Sequence, residues 1–111
     1  MRTPTATAQS QLDAYNAQDL EAFCSHFTDD VQVAELNGAV TLEGLSDYRA
    51  KYQKIFGEYP LNKVVLLGRI AIGNVVIDHE QVFRTPNADP FEVAAIYTLR
   101  GDEICRVDFA K

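Results

Sequence analysis

The stretch Asn16-Ala-Gln-Asp-Leu-Glu-Ala-Phe-Cys-Ser-His-Phe-Thr-Asp-Asp-Val-Gln-Val33 carries the reading of the fold, because it passes from helical to extended patterning within one short segment. Asp19 is placed to cap a short helix in which Leu20, Phe23 and Phe27 share one face, and Thr28-Asp29-Asp30 closes it. Upstream, Ala8, Leu12 and Tyr15 recur at helical spacing with Gln11 on the flank of their face, so a first helix ends near Asn16. Only the last part of residues 1–10 is expected to be ordered. Downstream, residues 31–36 alternate as a strand, Asn37-Gly38 supplies a turn, and residues 39–43 return. Leu45, Tyr48, Tyr52, Ile55, Phe56 and Tyr59 then form an aromatic stripe on a third helix, stopped by Gly57 and Pro60.

Beyond Pro60 the chain is rich in Val, Ile and aromatics over 62–72, 74–85, 91–100 and 103–110, with turn residues between. Helices followed by successive strands give an α+β layout, an antiparallel sheet curled over helices on one face. A two-residue turn at Gly101-Asp102 pairs Arg100 with Glu103. Continued without interruption, that register sets Thr98 against Cys105, Ile96 against Val107 and Ala94 against Phe109, an apolar side that should face the helices. The opposite side, with Val93, Ala95, Tyr97 and Leu99 beside Arg106 and Asp108, then suits a subunit interface and a homodimer through the sheet.

The 111 residues carry 16 acidic and 10 basic side chains for a net charge of −6, and 47% of them are apolar. One domain spanning 1–111 with a real core is expected, without disulfides or metal. The acidic balance argues against a nucleic-acid surface and against an anionic membrane. Apolar runs such as Val64 to Leu67 are far too short to span a bilayer, and no secretion signal is visible, so a cytoplasmic protein is expected. Cys24 and Cys105 read as buried free thiols. The acid excess is local: residues 1–47 hold eight acids and one base, residues 48–111 eight acids and nine bases.

The order of elements, with Asn16-Ala-Gln-Asp-Leu-Glu-Ala-Phe23 and Phe27-Thr-Asp-Asp-Val-Gln-Val33, resembles the SnoaL-like members of the nuclear transport factor 2-like superfamily, which includes ketosteroid isomerase, polyketide cyclases and limonene-epoxide hydrolase. The resemblance implies a cystatin-like cone, three N-terminal helices packed on a curved sheet around a pocket. Counting from Asp29-Asp30, the general-base Asp of ketosteroid isomerase falls on Glu35; counting from Gly44, a pocket Tyr falls on Tyr52. The two oxyanion donors fall on Gln11 and Ile96, and a supporting Tyr on Phe27. Since dienolate chemistry needs donors where charge develops, the standard isomerase set is incomplete.

The candidate catalytic residues are therefore Glu35 and Tyr52, with Gln11, Tyr15, Phe27, Phe56, Asp78, Glu80, Ile96, Val107 and Phe109 as candidate ligand contacts. Asp78-His79-Glu80 is the densest ionisable cluster, and a period of two forbids all three from sharing one face. Either His79 points with Val75, Ile77 and Phe83, or Asp78 and Glu80 point inward with Val76 and Val82; the residues leave both open. In the inward case neighbouring carboxylates could hold a proton and poise an acid beside a base. Glu92, Arg100, Arg106 and Asp108 read as ion pairs. No phosphate loop, nucleophile elbow or metal-ligand spacing is present. For an enzyme, the resemblance implies cofactor-free proton transfer, such as isomerisation or cyclisation, on a small, mostly apolar organic molecule. A non-catalytic binding protein and an epoxide-hydrolase-like enzyme are the alternatives.

Overall fold

The computed structural model describes residues 2–111. Helix α1 spans Pro4–Asn16, beginning earlier than its apolar spacing suggests. Pro4 occupies the first turn, where a missing N–H costs nothing, and the Thr3 hydroxyl accepts from the Ala6 N–H at 3.1 Å. Gln18, at φ 59°, turns the chain into α2, Leu20–Cys24, where the Asp19 carboxylate accepts from the Ala22 N–H. Phe27 is not part of α2; it opens strand β1, Phe27–Glu35. Asn37 takes the left-handed conformation at φ 59° in the turn to β2, Val40–Glu43, and α3 follows as Leu45–Glu58. Gly57 lies within the last turn of α3, and the chain leaves the helix at Tyr59.

Strands β3 (Lys63–Ile72), β4 (Val75–Phe83), β5 (Phe91–Arg100) and β6 (Glu103–Ala110) complete one sheet in the order β2-β1-β6-β5-β4-β3. The β3-to-β6 run returns to β1, and β6 pairs with it in parallel, the one parallel pairing in an otherwise antiparallel sheet. The helices cover one face. Between them and the sheet lies an aromatic cluster of Tyr15, Phe23, Phe27, Tyr48, Tyr52 and Phe56, with ring centroids as close as 4.7 Å for Phe27 and Tyr48 and 4.9 Å for Phe23 and Tyr52. Such tilted contacts add modestly to the large apolar area each ring buries. No helix among the described residues is long and apolar enough to cross a membrane.

The β5–β6 hairpin corrects the register read from the sequence. Arg100 does oppose Glu103 and Leu99 opposes Ile104, but Thr98 then opposes Arg106. Cys105 is the extra residue, its Sγ lying 3.4 Å from the Thr98 carbonyl oxygen. One inserted residue exchanges the faces of β6 relative to β5. Val93, Ala95, Tyr97 and Leu99 are therefore buried under the helices with Val107, while Ala94, Ile96 and Thr98 share the outer face with Arg106 and Asp108. The mixed side inferred from an unbroken ladder does not exist.

Candidate active site

A cavity of about 150 Å³ opens between α1, α3 and the concave face of the sheet. Its wall is largely apolar and aromatic, with a few polar groups set into it. Gln11, one turn before Tyr15 on α1, is buried, and its side-chain amide donates to the Ala8 carbonyl at 3.0 Å and to the Tyr97 hydroxyl oxygen at 3.1 Å. The Tyr15 hydroxyl oxygen accepts from the Asn62 amide and, at 3.1 Å, from the Arg84 guanidinium. Both phenol oxygens thus act as acceptors, and among the described residues neither hydroxyl has an acceptor for its own proton.

Strand β4 supplies the ionisable group. Its alternation puts Val76, Asp78, Glu80 and Val82 inward, which resolves the phase the sequence left open; His79 points outward to Glu92 on β5. Asp78 is fully buried and held by both oxygens in the Arg69 fork, at 2.7 and 3.0 Å, while Arg69 also donates to Gln9 at 2.8 Å. This bidentate geometry satisfies the charge. Glu80, two residues on, has no such partner: it is 6% exposed and lines the cavity. Burial first, and the neighbouring Asp78 charge second, push its carboxyl from the ordinary 4.5 up to about 8, against a lesser opposing pull from Arg69. The Glu80 charge also bears on the buried hydroxyls of Tyr97 and Tyr52, both raised above the usual phenol range chiefly by burial. These phenols stay protonated and serve as donors.

The other expected residues separate cleanly. Gln11, Tyr15, Tyr52, Glu80 and Phe109 line the cavity, as does Glu35. Glu35, however, ends β1 at the mouth, where its side chain is 50% exposed and 3.9 Å from the Lys111 ammonium. Phe27, Phe56 and Val107 lie in the core behind the lining, because the aromatic cluster and the sheet consume their surfaces. Asp78 reaches the site only through Arg69 and Glu80. Ile96 is on the outer face, displaced by the Cys105 bulge, and the side chain that β5 sends into the cavity is its neighbour Tyr97. Tyr97, Arg84, Lys51 and Lys111 are among the cavity residues that the sequence did not single out. A signal for Tyr97 existed: Val93, Ala95, Tyr97 and Leu99 form the more apolar of the two alternating sets on β5.

Comparison with known proteins fits this architecture. Residues 8–107 match the family model of the SnoaL-like domain. An uncharacterised cystatin-fold protein from Novosphingobium aromaticivorans is 32% identical with full coverage of both chains and a TM-score of 0.92. A candidate ketosteroid isomerase from Kribbella flavida (18% identity, 96% of this chain and 75% of that one, TM-score 0.80) shares the fold. So does a candidate polyketide cyclase from Sinorhizobium meliloti (18%, 98% and 100%, TM-score 0.79). None of the curated proteins compared with this chain matches it.

Proposed function

The chain belongs to the SnoaL-like family of the nuclear transport factor 2-like superfamily, and from that premise we propose that its cavity carries out cofactor-free proton transfer on a small, mostly apolar carbonyl compound, with Glu80 as the proton shuttle. The observation that supports this is a carboxyl buried in the cavity wall with no hydrogen-bond or ion-pair partner among the described residues, where burial raises its affinity for a proton. A carboxylate with that affinity for a proton is a far stronger base than an ordinary Glu, and the best catalytic bases titrate near the working pH. At neutral pH the protonated form is favoured and the base form remains within reach.

In a β,γ-unsaturated ketone, Glu80 would take the proton from the carbon between carbonyl and alkene. The electron pair moves into a dienolate, and the Tyr97 hydroxyl donates to its oxygen while Gln11 donates to Tyr97. Glu80 then returns the proton to the far alkene carbon, leaving a conjugated ketone and a regenerated carboxylate. Gln11, the position that corresponds to a catalytic Tyr in ketosteroid isomerase, acts here one step removed, by polarising Tyr97. The cavity volume matches one six-membered ring, since a 150 Å³ apolar cavity holds benzene, and this favours a monocyclic substrate over a steroid.

Turnover of a β,γ-unsaturated cyclohexenone, followed by the rise of enone absorbance, tests the assignment. Glu80→Gln should lose at least about 10²-fold and Glu35→Gln should change the rate little; the reverse ranking would move the base to Glu35, and equal rates in all three proteins would reject catalysis at this site. A second reading rests on the same buried carboxyl: Glu80 donates its proton to the epoxide oxygen as that C–O bond breaks, water adds to the freed carbon, and the proton that the added water loses returns to the Glu80 carboxylate, which hydrolysis of cyclohexene oxide would reveal. We also propose a homodimer through the outer face of the sheet. There Ile70 opposes Ile77 and Ile77 opposes Ile96, with Ile70 58% and Ile72 72% exposed, an apolar row that suits a partner copy.

A further inference from the structure

The mouth of the cavity has a charge opposite to that of the chain. Overall the protein carries −6, yet Lys51, Arg84 and Lys111 all line the opening, and the carboxylate among them is Glu35. Glu35 lies 3.9 Å from Lys111, and among the described residues Lys51 and Arg84 have no carboxylate partner. Arg84 is half-buried and held in place by neutral groups: it donates to the Tyr15 hydroxyl, and its guanidinium lies 5.4 Å from the Phe91 ring centroid and 5.8 Å from that of Tyr59. Lys51 lies over the Tyr52 ring at 5.6 Å. Three cations held on aromatic faces around one opening repel one another, and the Lys51 ammonium is depressed by desolvation and by Lys111 and Arg84. Such repulsion is relieved when an anion occupies the space between them.

Resting on the proton-transfer reading, we infer that the substrate is a monocyclic carboxylate, its anionic group held at the mouth by Arg84 and Lys51 and its apolar ring in the aromatic chamber against Glu80. Polarity along the cavity supports this division. The inner end presents the Gln11 and Tyr97 side chains, suited to a carbonyl oxygen, and the Glu80 carboxyl, suited to exchange a proton with the carbon beside it, whereas the cations sit at the outer end. The planar guanidinium of Arg84 is matched to a carboxylate, and charge-assisted bonds of this kind are shorter and stronger than neutral ones. Anchoring the remote end also fixes the ring, so binding energy from the carboxylate is used to place the reacting carbon beside Glu80.

The test is calorimetric titration with phenylpropanoate and with its uncharged isostere phenylpropanamide, which share ring, chain length and volume. The acid should bind at least about tenfold more tightly, a preference that falls as salt is raised. Lys51→Gln, a change at an exposed position, should weaken it, and the Lys51→Gln/Arg84→Gln variant should abolish it, each checked for folding by thermal melting. Equal affinity for acid and amide, or a preference that survives in the double variant, overturns the inference; so does failure of both compounds to bind. In each of those cases Glu80-dependent isomerisation of the neutral cyclohexenone would persist if only the anion site were wrong, which separates this inference from the proposed function.

Discussion

Replacing Glu80 with Gln should flatten the dependence of stability on pH. The native carboxyl binds its proton up to about pH 8, whereas in the unfolded chain the same group ionises near 4.5. Between those values the folded state therefore holds more protons than the unfolded state. Stability from this group is fully present below the unfolded value, declines by about 1.36 kcal/mol per pH unit through the window, and levels off above the folded value. Integrated from about pH 5 to 9, the loss attributable to Glu80 alone comes to about 4 kcal/mol, a large share of the roughly 5–15 kcal/mol typical of a small domain. The substituted amide keeps the shape of the side chain and lacks the charge, so wild type and Glu80→Gln should have similar stability near pH 5 and diverge steadily, the variant being more stable by several kcal/mol at pH 9. Urea denaturation at a series of pH values, followed by circular dichroism, measures the difference. Two curves that stay parallel from pH 5 to 9 would refute the reasoning, since Glu80 would then titrate alike in both states.

Other outcomes follow from the same geometry. Asp78→Asn leaves the Arg69 guanidinium half-buried without its carboxylate and should cost about 3–5 kcal/mol, and with the Asp78 charge gone the Glu80 carboxyl should titrate lower; denaturation and titration check both. Tyr97→Phe should lower isomerisation by about 10²-fold, as for loss of an oxyanion donor, while costing only about 1 kcal/mol of stability because the Gln11 amide keeps the Ala8 carbonyl. The bulged register makes Ala95→Ile an overpacking change of about 1–3 kcal/mol and Ile96→Val nearly silent; reversed effects in thermal unfolding would restore the unbroken ladder. Sedimentation at micromolar concentration should give twice the 12.4 kDa chain mass, and Ile70→Glu should give the single chain.

Much of the architecture is legible because it rests on local chemistry. Asp19 as a helix cap, Asn37-Gly38 as a turn and the Tyr48, Tyr52, Phe56 stripe each follow from backbone preferences or periodicity, and the structure keeps them. What a local reading misses are events of a single residue. Cys105 bulges out of β6, and that one insertion sends Tyr97 rather than Ile96 into the cavity. Residues 1–10 are small and polar and only their last part is expected to be ordered, yet Thr3 and Pro4 start a helix. The choice between Glu35 and Glu80 turns on depth rather than alternation: both strands point a carboxylate toward the same cavity, but Glu35 stands at the rim and Glu80 within the wall. Burial of this kind is a property of the curved sheet packed under its helices, which no short window of sequence encodes.

The proposed proton transfer depends on the state of one carboxyl at neutral pH. Carbon-detected NMR of the Glu80 side-chain carboxyl, assigned by comparison with Glu80→Gln and followed through a pH titration, measures it directly. A midpoint near 8 is predicted, and a midpoint near the ordinary 4.5 would contradict the assignment of Glu80 as a buried proton shuttle.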